Sequence, residues 1–191
     1  MQPLPLEEWD QSLKGVIDDM GGQPLNVHGL MANHPQLLSA WWSFRNYSVN
    51  GGDLSQRDCE LVILRVAFHL GAWYEWAAHV DRGQQAGLSM DEIDRIAKGP
   101  GAANWPQKEM VLLTAVDELI NERAIGAETQ AGLAPYFSAN QIMDIIAIHG
   151  MYVTLGCMIN TWGLELDDRV AERLPDSADR AAFEHAVQEN T

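Results

Sequence analysis

Glu75 and His79 are the residues whose types and spacing best fit chemistry in this sequence. They lie four positions apart within residues 74–79, so a helix would place both on one face, about one turn apart. A carboxylate beside an imidazole in an apolar pocket can exchange protons near neutral pH. The same spacing also fits an ion pair on a solvated helix surface, which contributes only about 0.3–0.5 kcal/mol. Spacing alone leaves both interpretations open.

Glu60 is the third ionisable residue of this candidate cluster, in the first turn or so of the preceding predicted helix. A short hairpin between the two helices would let Glu60 face Glu75 and His79. Alternatively, Glu60 is an ordinary first-turn acid that the helix dipole favours. Such a trio can also ligate a metal ion. However, the sequence has no His-Glu-x-x-His motif, and His69 does not share a face with His79, so we expect no metal.

Five further residues are candidates for the wall of a substrate pocket. Trp76 and Tyr74 flank Glu75 and would supply apolar surface. Cys59 precedes Glu60 and matters only if its side chain faces the pocket. His149 and Tyr152 lie near each other in a later apolar helix, although His149 also fits a histidine satisfied within the core. Aromatic residues of this kind serve the core or an interface more often than a ligand platform.

The elements that must position these residues are all helical. Ser55, Ser89 and Ser138 begin predicted helices as N-caps, and the last two belong to capping boxes. Gly71 permits a bend before the helix that carries Glu75. No segment alternates apolar and polar residues as a strand would. The predicted helices span approximately residues 6–20, 26–31, 36–47, 56–70, 72–86, 89–98, 106–123, 127–136 and 139–161.

Residues 1–165 are expected to form a single helical domain, and residues 166–191 an acidic C-terminal tail. The tail is predicted to be extended, with one weak helix near its end, packing on a neighbouring subunit. The helices near 56–70 and 139–161 are very apolar. Because exposed apolar surface of that extent is rare on monomers, we expect a homo-oligomer.

Composition narrows the functional classes. The 191 residues carry a net charge of -15, which argues against nucleic-acid binding and provides no basic patch for a membrane surface. The apolar fraction of 47% is ample for a core, yet no run reaches the about 18 uninterrupted apolar residues of a membrane span. The N-terminus lacks signal-peptide features, so the default expectation is a cytoplasmic protein. Cys59 and Cys157 are expected to be reduced and buried, with a disulfide as the minor alternative.

Several segments together resemble the carboxymuconolactone decarboxylase and alkylhydroperoxidase D-like family. The resemblance spans roughly residues 25 to 165 and implies an all-α fold that assembles as trimers or hexamers. The segments that carry it are 25–28, 32–35, 59–67, 74–79, 86–89 and 150–153, the last leading to Asn160.

The redox branch of that family uses a Glu followed by Cys-x-x-Cys-x-x-x-His. When its His is placed on His79, its Glu falls on Glu60, and its two cysteines fall on Ala72 and Glu75. The resemblance therefore retains the acid and the imidazole of a proton relay but neither redox sulfur. Since thiol peroxidase chemistry needs a thiolate and a resolving partner, we expect no Cys-x-x-Cys peroxidase activity.

The decarboxylase branch, which acts on a small carboxylated lactone without a cofactor, implies a different function. We expect a cofactor-free acid/base enzyme that acts on a small organic acid or lactone, by decarboxylation, lactone or enol chemistry. His79 would be the general base or acid, Glu75 would orient it, and Glu60 would be a second proton carrier. Two alternatives stay open: a non-catalytic helical oligomer that binds a small ligand or partner protein, and a residual peroxidase that uses Cys59.

Overall fold

The computed structural model describes residues 1–189, which form helices and connecting loops and contain no β-strand. Two 3₁₀ turns, Leu6–Glu8 and Gln11–Leu13, precede the first α-helix, and a π-helical turn, Tyr47–Gly51, follows the third. The α-helices are α1 (Lys14–Asp19), α2 (Asn26–Met31), α3 (Pro35–Asn46), α4 (Gln56–His69), α5 (Trp73–Gln85), α6 (Met90–Lys98), α7 (Gln107–Asn121), α8 (Ala127–Leu133), α9 (Ala139–Trp162), α10 (Asp168–Ala171) and α11 (Arg180–Glu189). The predicted all-α class is confirmed.

Helix α4 lies at the centre of the fold, packed against α5, α7 and α9. Every residue from Asp58 to Phe68 is buried, as expected for a helix that is apolar nearly all round. One buried cation, Arg65, interrupts the apolar run of this helix. Its guanidinium pairs with Asp117 of α7 at 2.6 Å and donates to the Ile96 carbonyl at 2.8 Å. Arg65 therefore fixes α4 against α6 and α7.

The turn between α4 and α5 sets the geometry of the candidate site. Gly71 has a φ of 58°, a left-handed conformation that favours glycine. The Ala72 amide then returns to the Ala67 carbonyl at 2.9 Å. Helix α9 approaches this turn closely, because a Cβ at Gly156 would lie only 2.7 Å from Leu70 Cδ1. Asn160 adds a side-chain hydrogen bond of 2.7 Å to the Leu70 carbonyl. The hairpin and α9 are thus tied together.

The C-terminal segment packs on its own chain. Asp167 accepts a hydrogen bond of 2.6 Å from the Tyr74 hydroxyl, and Arg169 donates to the Pro24 carbonyl at 2.8 Å. Phe183, the buried residue of α11, lies 5.3 Å from the Trp76 ring between centroids. The tail therefore carries two short helices, where one weak helix was expected. Its packing on a neighbouring subunit stays a prediction.

Two other predicted helix ends differ from the structure. The helix expected over residues 6–20 is interrupted, because the Asp10 side chain accepts from the Ser12 amide and starts a new turn. The helix expected over 127–136 ends at Leu133, two residues before Pro135. That proline has no backbone N–H with which to continue the helical hydrogen bonds.

Helix α9 is unusually long and apolar. Among residues 1–189 it is the one helix that could cross a membrane by length and composition, a test that core helices also pass. About 44% of its most apolar window is buried inside the molecule. Met143, Ile146 and Trp162 are exposed on it, by 68%, 44% and 37%.

Candidate active site

The α4–α5 hairpin brings Glu60 directly against His79. Glu60 Oε2 lies 2.6 Å from His79 Nδ1, although the two residues are nineteen positions apart in sequence. Glu75 Oε1 lies 3.4 Å from the other ring nitrogen, Nε2. Glu60 and Glu75 are each 4% exposed and His79 is 1% exposed. These groups form a buried cluster and are not a solvated helix pair.

Arg82 gives His79 Nε2 a second neighbour. Its Nη1 lies 3.3 Å from Nε2, on the same helix and one turn further along. When His79 is neutral, Nδ1–H donates to Glu60 and Nε2 can accept from Arg82. When His79 is protonated, Nε2 becomes a donor, and of these two neighbours only the Glu75 carboxylate can accept its hydrogen bond. The protonation state of His79 therefore determines which neighbour Nε2 can engage.

Opposing effects act on the pKa of His79. Complete burial lowers it, because the charged imidazolium loses its hydration. The negative charge of Glu60 raises it, Arg82 lowers it, and hydrogen bonds to Glu60 and Glu75 raise it. The net result is a pKa above the ordinary value of 6.5. His79 thus holds its proton to higher pH than an exposed histidine does.

A small inner cavity adjoins the cluster. Its volume is about 30 Å³, close to that of one water molecule. Glu75, His79 and Tyr152 line it, and the Tyr152 ring meets the His79 ring edge-on at 5.2 Å. Within residues 1–189, Oε2 of Glu75 is buried without a hydrogen-bond partner. An unpaired buried carboxylate oxygen is costly, so this atom is well suited to accept a proton, or a hydrogen bond from a hydroxyl group, of a ligand.

A larger outer cleft of about 380 Å³ opens next to the inner cavity. Arginines dominate its charge, since it is lined by Arg45, Arg82, Arg169 and Arg173 and by a single carboxylate, Asp81. A chain with 12 Lys and Arg against 27 Asp and Glu thus gathers four of its cations in one cleft. This concentration makes the cleft a favourable environment for an anion.

His28, at the boundary of the inner cavity and the outer cleft, stays neutral. Burial lowers its pKa to about 3, and the charges of Arg45, Arg82 and Arg169 act in the same direction. Its Nδ1 accepts a hydrogen bond of 3.0 Å from the Leu25 amide. His28 therefore does not compete with His79 for a proton near neutral pH.

The pocket residues expected from the sequence lie in different places. Tyr74 and Tyr152 line the inner cavity with Glu75 and His79. Trp76 does not line it, because each residue turns about 100° around a helix. It packs instead on Phe68 and Phe183 at a separate cleft.

Cys59 and His149 also lie away from the lining of the inner cavity. Cys59 is 2% exposed within α4. Burial, and then the charge of His69, lower the pKa of His149. Neither residue adjoins the His79 cluster in the way that the sequence led us to expect.

Both cysteines are free thiols. Burial, and then the charges of Glu60, Asp58 and Asp144, raise the pKa of Cys59 to about 12. A thiol in that environment is a poor source of thiolate. The expectation of a buried Cys157 was wrong, since that residue is exposed on α9. The exposed face of α9 was not apparent because its sequence is apolar on all sides.

Two arginines of the site were not predicted. Arg82 follows His79 by three residues, so helical spacing could have identified it. Arg45 carries no such signal, because its position depends on how α3 packs. Within residues 1–189, no group of three or more His, Cys, Asp or Glu side chains has the geometry of a metal site.

Comparison with known proteins gives one family-model match and a set of solved structures with the same fold. Residues 35–118 match the model of the carboxymuconolactone decarboxylase family. No curated protein gives a significant match. Among solved structures, the alkylhydroperoxidase AhpD core of an uncharacterized peroxidase-related protein from Ralstonia eutropha JMP134 is similar, with a TM-score of 0.78 and 18% identity over 92% of this chain and 98% of that chain.

Two further structures share the fold. An uncharacterized peroxidase-related protein from Silicibacter sp. TM1040 has a TM-score of 0.70 and 18% identity, covering 89% of this chain and 90% of its own. A variant of the debrominase Bmp8, in complex with 2,3,4-tribromopyrrole, has a TM-score of 0.75 and 16% identity, covering 93% of this chain and 96% of its own. Residues 35–118 therefore match the carboxymuconolactone decarboxylase family model, and the chain shares the fold of these AhpD-like structures.

Proposed function

We propose that this protein is a cofactor-free acid/base enzyme that acts on a small organic acid, in which His79 carries the proton. The observation that carries the proposal is the buried contact of His79 with two carboxylates, beside a cavity that holds an unpaired carboxylate oxygen of Glu75. Pairs of titratable groups with perturbed environments inside a cleft are typical of acid/base sites.

Each residue of the cluster has a role in this proposal. Glu60 holds Nδ1–H and stabilises the imidazolium. Glu75 accepts from Nε2 when that atom is protonated and presents its second oxygen to the ligand. In a decarboxylation, the C–CO₂ bond breaks and its electron pair moves into a conjugated carbonyl of the substrate. His79 then donates its proton to the resulting enolate, and the ring becomes neutral.

The outer cleft supports an acidic substrate. Its arginines attract a carboxylate, and the cleft is large enough for a small organic molecule, whereas the inner cavity holds about one water. The substrate would occupy the cleft with its reacting carbon directed toward His79. The residue match to the carboxymuconolactone decarboxylase family adds support for chemistry on a carboxylated lactone.

Thiol chemistry fits this chain less well. Cys59 is buried with a raised pKa, and Ala72 and Glu75 stand where the redox branch carries its cysteines. A non-catalytic binding protein would use the outer cleft without proton transfer. That function would leave the buried Glu60–His79–Glu75 contacts without a chemical role.

The test is a panel of small carboxylated lactones and 3-oxo acids, followed by proton NMR and by release of CO₂. The unchanged chain should consume at least one member, and His79→Gln should reduce that rate by at least about 100-fold, the lower range for a general acid–base group. Equal consumption by both proteins would exclude His79 as the proton carrier. His185→Gln is the matched control, because His185 is exposed in α11.

A further inference from the structure

The wall between the inner cavity and the outer cleft contains two free cationic groups. Five residues line both spaces, and Arg45 and Arg82 are the charged ones among Leu25, His28, Arg45, Ala78 and Arg82. The same two arginines also line a third cleft that reaches Glu60. Arg45 and Arg82 therefore stand at the junction of three spaces.

Neither guanidinium is neutralised by a carboxylate. Arg45 donates to the Asn46 side chain at 3.3 Å and lies over the Trp42 ring, and Arg82 contacts His79 Nε2 at 3.3 Å. Within residues 1–189, no Asp or Glu oxygen lies within ion-pair distance of either, despite the net charge of -15. Several N–H donors of each guanidinium therefore remain free for a ligand.

We propose that Arg45 and Arg82 bind an anionic group of a small molecule, and that this anion draws Arg82 away from Nε2 of His79. The displaced Arg82 leaves Nε2 free to carry a proton and to donate it to Glu75. Anion binding and proton uptake by His79 are therefore linked. By reciprocity, the same linkage makes the anion bind more tightly to the protonated site.

The charged and titratable groups that face His79 support this direction. They are Glu60 from α4, Glu75 and Arg82 from α5, Tyr152 from α9, Arg45 from α3 and His28 from α2. Burial and then the Glu75 charge raise the pKa of Tyr152, and burial and the arginines keep His28 neutral. Arg82 is the group whose movement changes the charge beside Nε2.

This inference rests on the proposed function only in making His79 the proton carrier, and it names the recognition chemistry as a carboxylate. The experiment is NMR of the full chain with labelled histidine, titrated from pH 5 to 9 with sodium acetate or with chloride at equal ionic strength. Acetate should bind saturably and move the His79 titration midpoint to higher pH. Its affinity should fall by up to about tenfold per pH unit as His79 deprotonates.

Three variants separate the parts of the proposal. Arg82→Gln should raise the midpoint without acetate and remove its response to acetate. Arg45→Gln should weaken acetate binding while the midpoint still moves at saturation. Arg123→Gln, which removes an exposed charge outside the cleft lining, should behave like the unchanged chain.

Several outcomes would overturn the proposal: no saturable binding, binding that leaves the midpoint unchanged, or a midpoint shift that persists in Arg82→Gln. If circular dichroism shows that Arg82→Gln does not fold, an unaltered acetate affinity in Arg45→Gln also overturns it. None of these readouts requires turnover. If acetate shifts the His79 midpoint but the chain transforms no acid, this inference holds and the proposed function is wrong. If the chain transforms an acid but acetate does not shift the midpoint, the proposed function holds and this inference is wrong.

Discussion

At the scale of single residues, His79 is the centre of a small charged network inside an acidic protein. Its two ring nitrogens meet different partners, with Nδ1 fixed on Glu60 and Nε2 shared between Glu75 and Arg82. In the proposed function, Glu60 stabilises the imidazolium and Nε2 exchanges protons with a ligand. The lengths of the contacts, 2.6 Å at Nδ1 against 3.3 and 3.4 Å at Nε2, support this division of roles.

Replacement of Glu60 by Gln tests that assignment. Because burial is the largest single effect on His79 and acts downward, loss of the Glu60 charge should lower the pKa of His79 to below its ordinary value. In the unchanged chain the raised pKa stabilises the fold fully below pH 6.5, and that contribution is lost as pH rises through the folded-state value. NMR titration and urea unfolding at several pH values measure both effects. A His79 pKa equal in the two proteins would contradict the assignment.

At the scale of elements, the hairpin of α4 and α5 positions the site, and buried ion pairs hold α4 in place. Arg65 is 7% exposed and is compensated by Asp117 of α7, which also lies 2.7 Å from His69 Nε2. Burial raises the pKa of Asp117, but the contacts with His69 and Arg65 together lower it by more, so the pKa lies below its ordinary value. Asp117 therefore stays charged and stabilises the fold until the pH falls well into the acid range.

Loss of that carboxylate should be costly. Asp117→Ala leaves the buried Arg65 without a counter-ion, and the free energy of unfolding should fall by roughly 3–5 kcal/mol. Asp18→Ala is the matched control, because Asp18 pairs with Lys14 at the surface, where both side chains are more than half exposed. Its effect should stay below about 1 kcal/mol. Similar urea midpoints for the two variants would contradict the role of the pair.

At the scale of the whole molecule, the long helix α9 has two different faces. Its buried face packs against the α4–α5 turn, and Tyr152 from that face reaches the site. Its other face exposes Met143 and Ile146. Since exposed apolar residues in a row are typical of association surfaces, the expected self-association of the chain should involve this face.

A charge on that face tests the expectation. Met143→Glu should shift sedimentation equilibrium toward the single chain, because burial of the new carboxylate between copies would be unfavourable. Ser39→Glu adds the same charge at an exposed position of α3 and should leave the association unchanged. If both variants sediment as the unchanged chain does, α9 is not the association surface.

The features that could be read from the sequence are mostly local. Ser89 and Ser138 begin α6 and α9 with complete capping boxes, as predicted, since the side chain and the backbone amide lie three residues apart. Spacing did not distinguish a buried Glu75–His79 pair from a solvated one. The resemblance favoured the site, by aligning Glu60 and His79 with a proton relay.

The remaining features depend on tertiary packing. Arg45 reaches the cleft because of the path that α3 takes past α5, which no local pattern encodes. Trp76 was placed at the pocket because it follows Glu75, yet its position around the helix turns it toward Phe183. The C-terminal segment folds onto residues 23–26 through Asp167 and Arg169, whereas its polar composition indicated an extended tail.

The most direct test of the central claim is the incorporation of deuterium from D₂O into the carbon skeleton of a small organic acid. Wild-type protein and the His79→Gln and His185→Gln variants would be compared by NMR on an acid that the unchanged chain consumes. Transfer of a proton by His79 predicts incorporation with the unchanged chain and with His185→Gln, and a loss of at least about 100-fold with His79→Gln. Undiminished incorporation with His79→Gln would contradict the account.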